Sequence, residues 1–247
     1  MIPSAHNEGP IMRLRFLTLT AIVALSAAPV LAKTKALMVL TPAEVELTRL
    51  LPPPPADGSL QGQVDLAAVR AAVAAATPER YAQAKWDDDH EDASAFYAVI
   101  GGGFDLKTLP ATTAVLEAAQ NDAGFVASQA KAYFSRKRPW AVDAAIKTCD
   151  PGDKPLTSYP SGHATMGYTV SLILADLMPG KAQAILARAS DYAFSRQLCG
   201  SHFASDAEAS HVLSVAVVAA MMRHPAFREQ MAAAHRELAA KGFTVAQ

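Results

Sequence analysis

From Val64 to Lys241 glycine and proline cut the chain into alanine-rich segments whose apolar residues recur at helical spacing. No run of alternating β-branched residues occurs, and no hairpin dipeptide sits between such runs. This pattern predicts an all-α fold, a single compact helical domain. The helices are expected over residues 64–76, 78–86, 93–100, 112–137, 162–177, 181–198, 201–223 and 226–241, with stops at Gly101–Gly103, Pro179-Gly180, Gly200 and Pro225. Ahead of them, "LLPPPPADGS" (Leu50–Ser59) reads as a stiff polyproline II strap.

Residues 1–32 stand apart. Met12-Arg13-Leu14-Arg15 is a basic head, Phe16 to Val30 carries no charge, and Val30 and Ala32 put small residues where a signal peptidase inspects them. The segment reads as a secretory signal peptide starting at Met12, its apolar run shorter than the roughly 20 residues that span a bilayer. Cleavage after Ala32 would leave residues 33–247 as one domain, periplasmic or secreted, with no stable membrane association. The formal net charge of the whole chain is −1, and no basic patch points to a nucleic-acid polymer. A homo-oligomer is compatible with the sequence. An even cysteine count in an exported chain favours a disulfide between Cys149 and Cys199, with two buried thiols as the alternative. If bonded, the pair would stabilise by ~4 kcal/mol in the chain-entropy picture.

Three stretches carry chemistry together, though each has a bland reading alone. In "SYPSGHAT" (Ser158–Thr165), Ser161 suits the cap of the helix that follows, and His163 falls in its first turn, where unpaired amides and the dipole favour an anion. A surface histidine after a serine cap is the alternative. In "SRQLCGSHFASD" (Ser195–Asp206), Gly200 suits a helix end and Ser201 the next cap, which would place His202 and Asp206 at i and i+4 on one face. An aspartate there fixes the tautomer of an imidazole, which can then act as nucleophile, base or ligand. The alternative is a solvated pair. In "KAYFSRKRPW" (Lys131–Trp140), Lys131 and Arg138 are seven apart, two turns of one helix that Pro139 would end, and together they could clamp a phosphate. A solvated basic helix end is the alternative.

Read in order, Lys131, Arg138-Pro139, Pro160-Ser161-Gly162-His163 and Ser195-Arg196 followed by His202 and Asp206 resemble the signature of the type-2 phosphatidic acid phosphatase superfamily. Within it the chain is similar to the bacterial class A non-specific acid phosphatases, which carry a Leu-Leu-Pro-Pro-Pro-Pro segment as at Leu50–Pro55. The resemblance implies an exported, helical, metal-independent enzyme with no cofactor, hydrolysing a broad range of small-molecule phosphomonoesters. It implies His202 as nucleophile forming a phosphohistidine, His163 as general acid and then base, and Asp206 orienting His202. Lys131, Arg138, Ser161, Gly162 and Arg196 would bind the phosphate. Three positions depart from the family pattern: Thr157 for a glycine, Ala164 for Thr or Ser, and Phe203 for Trp. The same residue set implies one alternative, a vanadate-dependent haloperoxidase.

Other phosphatase chemistries do not fit. Neither cysteine opens a Cys-x5-Arg loop, "RHP" at Arg223 lacks the glycine of the Arg-His-Gly enzymes, and neither a P-loop nor a His-Glu-x-x-His site occurs. The acidic run "DDDHEDAS" (Asp87–Ser94) reads as a solvated face or helix start rather than a metal site. His211, His224 and His235 read as structural or exposed, and Met221, Met222 and Trp140 as core.

Overall fold

Ser59 ends the proline strap by accepting a hydrogen bond from the Gly62 amide at 3.1 Å, and α1 (Leu60–Ala75) starts there. This is four residues earlier than the apolar spacing indicates, because the first turn is polar and is set by its cap. Thr77 caps α2 (Pro78–Asp89), with Pro78 at the first helical position. The computed structural model describes Met1 and residues 36–44, 46, 51–150 and 152–245, all but Met1 within one unit, Lys35–Gln247. Apart from Met1, the leader assigned to residues 1–32 lies outside the described residues.

The remaining α-helices are α3 (Tyr97–Ile100), α4 (Pro110–Phe134), α5 (Pro139–Val142), α6 (Gly162–Leu177), α7 (Ala182–Leu198), α8 (Ala204–Met221) and α9 (Pro225–Ala240). No strand occurs among the described residues, and the fold is all-α. Helix α6 packs on α4, α7 and α8, and α9 packs on α4. Val170, Ile173 and Leu174 of α6 meet Leu116 and Val126 of α4 and Leu213 and Val217 of α8 in one apolar core. Gly167 lets α7 approach α6 closely, since a Cβ there would lie 2.8 Å from the Tyr192 ring. No helix among the described residues is long and apolar enough to cross a membrane.

Two of the helix boundaries that differ from the sequence reading bear on the site. Helix α4 stops at Phe134, because Ser135 adopts the left-handed conformation (φ 47°) and its amide caps the Lys131 carbonyl at 2.9 Å. Arg136 to Arg138 then pair with the returning chain through Arg138 N to Pro155 O at 2.8 Å and Ser158 N to Arg136 O at 3.1 Å. Lys131 and Arg138 are therefore not two turns apart on one helix, and Pro139 opens α5 instead of closing α4. Helix α8 begins after Phe203, not after Ser201, so His202 precedes the helix. The Asp206 carboxylate bends back to accept from the Phe203 amide at 2.8 Å, a charge-assisted bond that fixes the helix start two residues beyond the expected serine cap.

The acidic run is solvated only in part: Asp89, Glu91 and Asp92 are exposed and Asp92 caps the turn Ala93–Phe96, but its start is not. Asp87 to Asp89 form the last turn of α2, and Asp87 is fully buried, taking a short ion pair from Arg188 and the Ser195 hydroxyl at 2.5 Å. Trp140 is half-buried and outside the apolar core, whereas Met221 is inside it. His211 stacks on Tyr168, and His224 pairs with Glu44 at 3.0 Å. Cys149 and Cys199 are bonded, with S–S 2.01 Å. The proline strap is tied down by the Tyr159 hydroxyl, which donates to Pro52 O at 2.8 Å. The segment before the strap is anchored too: the buried Asp122 carboxylate accepts from the amides of Met38, Val39 and Leu40 at 2.7, 2.9 and 2.7 Å.

Candidate active site

The site forms where α6 begins. Ser161 is buried and its hydroxyl accepts from the Ala164 amide at 3.3 Å, which fixes the first turn of α6. Gly162 keeps that turn open on one side, where a Cβ would lie 3.3 Å from Glu91 Oε1 and 3.9 Å from Lys131 Cε. The amides of a first helical turn have no partner within the helix and favour an anion.

Three cations converge on this end of α6. Lys131 Nζ donates to the carbonyls of Thr157 and Pro160, both at 2.5 Å, which brings α4 to the loop ahead of α6. Burial pushes the Lys131 ammonium down to about 7, and Arg138 pushes the same way. Arg138 arrives from the extended segment after α4. Its Nε and Nη2 donate to the Thr157 hydroxyl at 3.3 and 3.2 Å, and its Nη1 reaches His202 Nε2 at 3.0 Å. Thr157, one of the departures from the family pattern, thus holds Lys131 with its carbonyl and Arg138 with its side chain. Arg196, nearly buried on α7, pairs with Asp88 Oδ1 at 2.5 Å and has no partner for its Nε.

The two histidines are held in defined tautomers. His202 Nδ1 lies 2.8 Å from the Ser158 carbonyl. A carbonyl only accepts, so Nδ1 carries the proton and Nε2 presents its lone pair, which accepts from Arg138. Asp206 Oδ2 lies 3.5 Å from Nδ1, further than the carbonyl. Its direct partners are the Ser158 hydroxyl at 2.6 Å, the Phe203 amide at 2.8 Å and Arg136 at 2.6 Å. Asp206 therefore fixes the loop whose carbonyl holds His202. His163 Nε2 donates to the Asp88 carbonyl at 3.0 Å, leaving Nδ1 to face the cations, 3.6 Å from Glu91 Oε1. Burial, then Arg196, hold His163 down to about 3. Burial and Arg138 likewise depress His202. Burial pushes the Asp206 carboxyl up, against the pull of Arg136. Both imidazoles are thus neutral around pH 6, in a pocket whose net field suits an oxyanion.

The sequence-predicted residues Lys131, Arg138, Ser161, Gly162, His163, Arg196, His202 and Asp206 all meet at this place. Several partners escaped the sequence reading. Arg136 is buried, bridges Asp206 and Asp65 of α1 at 2.6 and 2.9 Å, and lies over the Phe203 ring at 4.1 Å. Its signal was present as the first arginine of "SRKRP", and that of Asp65 was a lone acid in an alanine-rich helix. Asp88 and Ser158 contribute a carboxylate and a carbonyl that no residue pattern announces. Among the described residues no group of three His, Cys, Asp or Glu is placed to hold a metal ion. The arrangement can bind a tetrahedral oxyanion, offer it an imidazole lone pair, and move a proton at a second imidazole.

Residues 111–229 match the PAP2 superfamily model. The chain is 34% identical over 195 residues to an acid phosphatase of Zymomonas mobilis, covering 76% of this chain and 74% of that protein. It is 32% identical over 203 residues to a non-specific acid phosphatase of Providencia stuartii (79% and 82% covered), and 31% identical over 196 residues to one of Salmonella typhimurium (76% and 78% covered). With relatives of this identity matched over most of their length, and the family's match spanning α4 to the start of α9, the chain belongs to the PAP2 superfamily.

Proposed function

We propose that this protein is an exported acid phosphatase that hydrolyses small phosphomonoesters through a phosphohistidine on His202. The observation that carries the reading is the His202 tautomer. Nδ1 is committed to the Ser158 carbonyl, and Nε2 faces Arg138 with its lone pair. A neutral imidazole can attack a phosphate dianion only where cations screen the charge, and Lys131, Arg138 and Arg196 stand around it. A phosphate dianion bound among the cations favours the imidazolium of His163, with its second proton on Nδ1. The His202 Nε2 lone pair forms a bond to phosphorus as the ester P–O bond breaks, and His163 gives that Nδ1 proton to the departing oxygen and becomes neutral. Water then gives a proton to His163 and attacks phosphorus. The P–N bond breaks, its electron pair returns to Nε2, and orthophosphate leaves. The relatives named above are all acid phosphatases, which favours this reading over a vanadate-dependent haloperoxidase. The Cys149–Cys199 disulfide supports an oxidising compartment, periplasmic or extracellular.

The test is a quenched-flow trap of acid-labile phosphate with p-nitrophenyl phosphate in EDTA. Wild type traps phosphohistidine and turns over. His202→Ala traps none. His163→Ala traps and accumulates it, since p-nitrophenolate leaves without protonation while water activation is slow. Phosphate trapped on His202→Ala but not on His163→Ala would reverse the two roles. Total loss of activity in EDTA, restored by a divalent ion, would refute the site.

A further inference from the structure

Glu91 lies outside the signature and outside the mechanism above, yet its carboxylate is turned into the phosphate site. Its neighbours in sequence are fixed. His90 ends α2 and its carbonyl accepts from the Tyr192 hydroxyl at 2.9 Å, and the Asp92 carboxylate caps the next turn at the Ser94 amide at 2.7 Å. Glu91 Oε1 comes 3.6 Å from His163 Nδ1, the nitrogen to which the proposed mechanism assigns the leaving oxygen, and 3.3 Å from the point where a Cβ on Gly162 would stand. Lys131 Cε is 3.9 Å from that same point. The Glu91 side chain is 49% exposed against 9% for Asp88, so it sits on the solvent rim where a phosphate enters and leaves.

The charges around it favour competition. Asp88 is committed to Arg196, and Asp206 is committed to Arg136 and Ser158. Lys131 and Arg138 are held by carbonyls, a hydroxyl and an imidazole. The Glu91 charge acts on both of these cations from the rim. Building on the phosphatase reading, we propose that Glu91 is a specificity- and release-determining residue, a carboxylate on the rim that competes with phosphate for the Lys131–Arg138 cluster and so speeds the departure of orthophosphate. A dianion seated on the cations displaces the Glu91 side chain outward. On its return, the carboxylate repels the product.

The test is a gain of binding, which a misfolded variant cannot mimic. Glu91→Gln keeps the shape and removes the charge. Orthophosphate and sulfate titrated by calorimetry into the full chain should bind about five- to tenfold more tightly, the scale expected of one like charge a few ångströms away on a half-exposed rim. Product inhibition should tighten by the same factor, KM for p-nitrophenyl phosphate should fall, and the pre-steady-state burst of p-nitrophenol should grow as release slows. Glu91→Asp keeps the charge and should stay within about twofold of wild type. Glu79→Gln, at the far end of α2, controls for net charge and should change nothing. Unchanged or weaker anion binding in Glu91→Gln overturns the proposal. Calorimetry does not depend on turnover, so an absence of phosphatase activity in wild type would fail the functional reading and leave this measurement decisive.

Discussion

Thr157 shows how much a single side chain can organise. Its hydroxyl accepts from Arg138 at two nitrogens and donates to the Lys154 carbonyl at 2.9 Å, so its accepting capacity goes to one guanidinium while its own proton fixes it to the loop. Thr157→Val keeps the shape and removes the acceptor. It should raise KM for p-nitrophenyl phosphate about tenfold or more, the worth of a hydrogen bond to a charged group, while Thr157→Ser should restore the wild-type value. Equal KM values in both variants would remove Thr157 from the site. The histidines give a pH prediction. An unfolded chain takes up protons on His163 and His202 near 6.5, but the folded chain holds His163 down to about 3 and His202 well below 6.5. Their contribution to stability is therefore complete above pH 6.5 and is lost as pH falls towards 3. A dianion among the cations reverses this by favouring the imidazolium. Sulfate, whose charge is constant over this range, should raise the melting temperature more at pH 5.5 than at pH 7.5, and His163→Gln should shrink that difference.

At the scale of elements, α1 has a role that its sequence conceals. It reads as an alanine-rich helix with no chemistry of its own, yet Asp65 on its buried face holds Arg136, which in turn holds Asp206. Removing one member of a buried ion set strands the others. Asp65→Ala should lower stability by about 3 kcal/mol, seen as a lower urea midpoint together with a lower kcat. Arg70→Ala, on the same helix, breaks a pair whose arginine side chain is 56% exposed and should change stability by less than about 1 kcal/mol. The helices themselves were legible, because apolar spacing and the Gly and Pro breaks are local signals. The ends that matter were not. A serine in the left-handed region after Phe134, and an aspartate reaching back to Phe203, are decided by partners distant in sequence or by a single side-chain bond. So Lys131 and Arg138 do come together, both bonded to Thr157, but not in the way expected: they meet through a chain reversal, not along a helix face.

For the molecule as a whole, the site is the meeting point of segments from α2, α4, α6, α7 and the loops before α6 and α8. What joins two of those segments covalently is the Cys149–Cys199 bond, between the loop leading to Thr157 and the turn leading to His202. Gly200 lies beside that bond with no room for a side chain, since a Cβ would stand 2.5 Å from Lys147 O. Cys149→Ser with Cys199→Ser should lower stability by ~4 kcal/mol and raise KM more than it lowers kcat, because the loosened loop carries the acceptors of Lys131 and Arg138. Unchanged KM with lowered stability would confine the bond to the fold. The eight predicted residues were legible as a set because their types are rare together. Asp88, Ser158 and Glu91 were not, since a carbonyl or a rim carboxylate leaves no mark in a residue pattern.

The anchoring of the amino-terminal segment sets a limit on how this protein can be shortened. Met38 to Leu40 give three backbone donors to a carboxylate sealed inside α4. A protease that cut after Leu40 and released the peptide would leave every residue of the site in place. It would also leave the Asp122 carboxyl buried with most of its donors gone. The segment is thus the missing half of a socket, and the catalytic helices are a finished structure only with it seated.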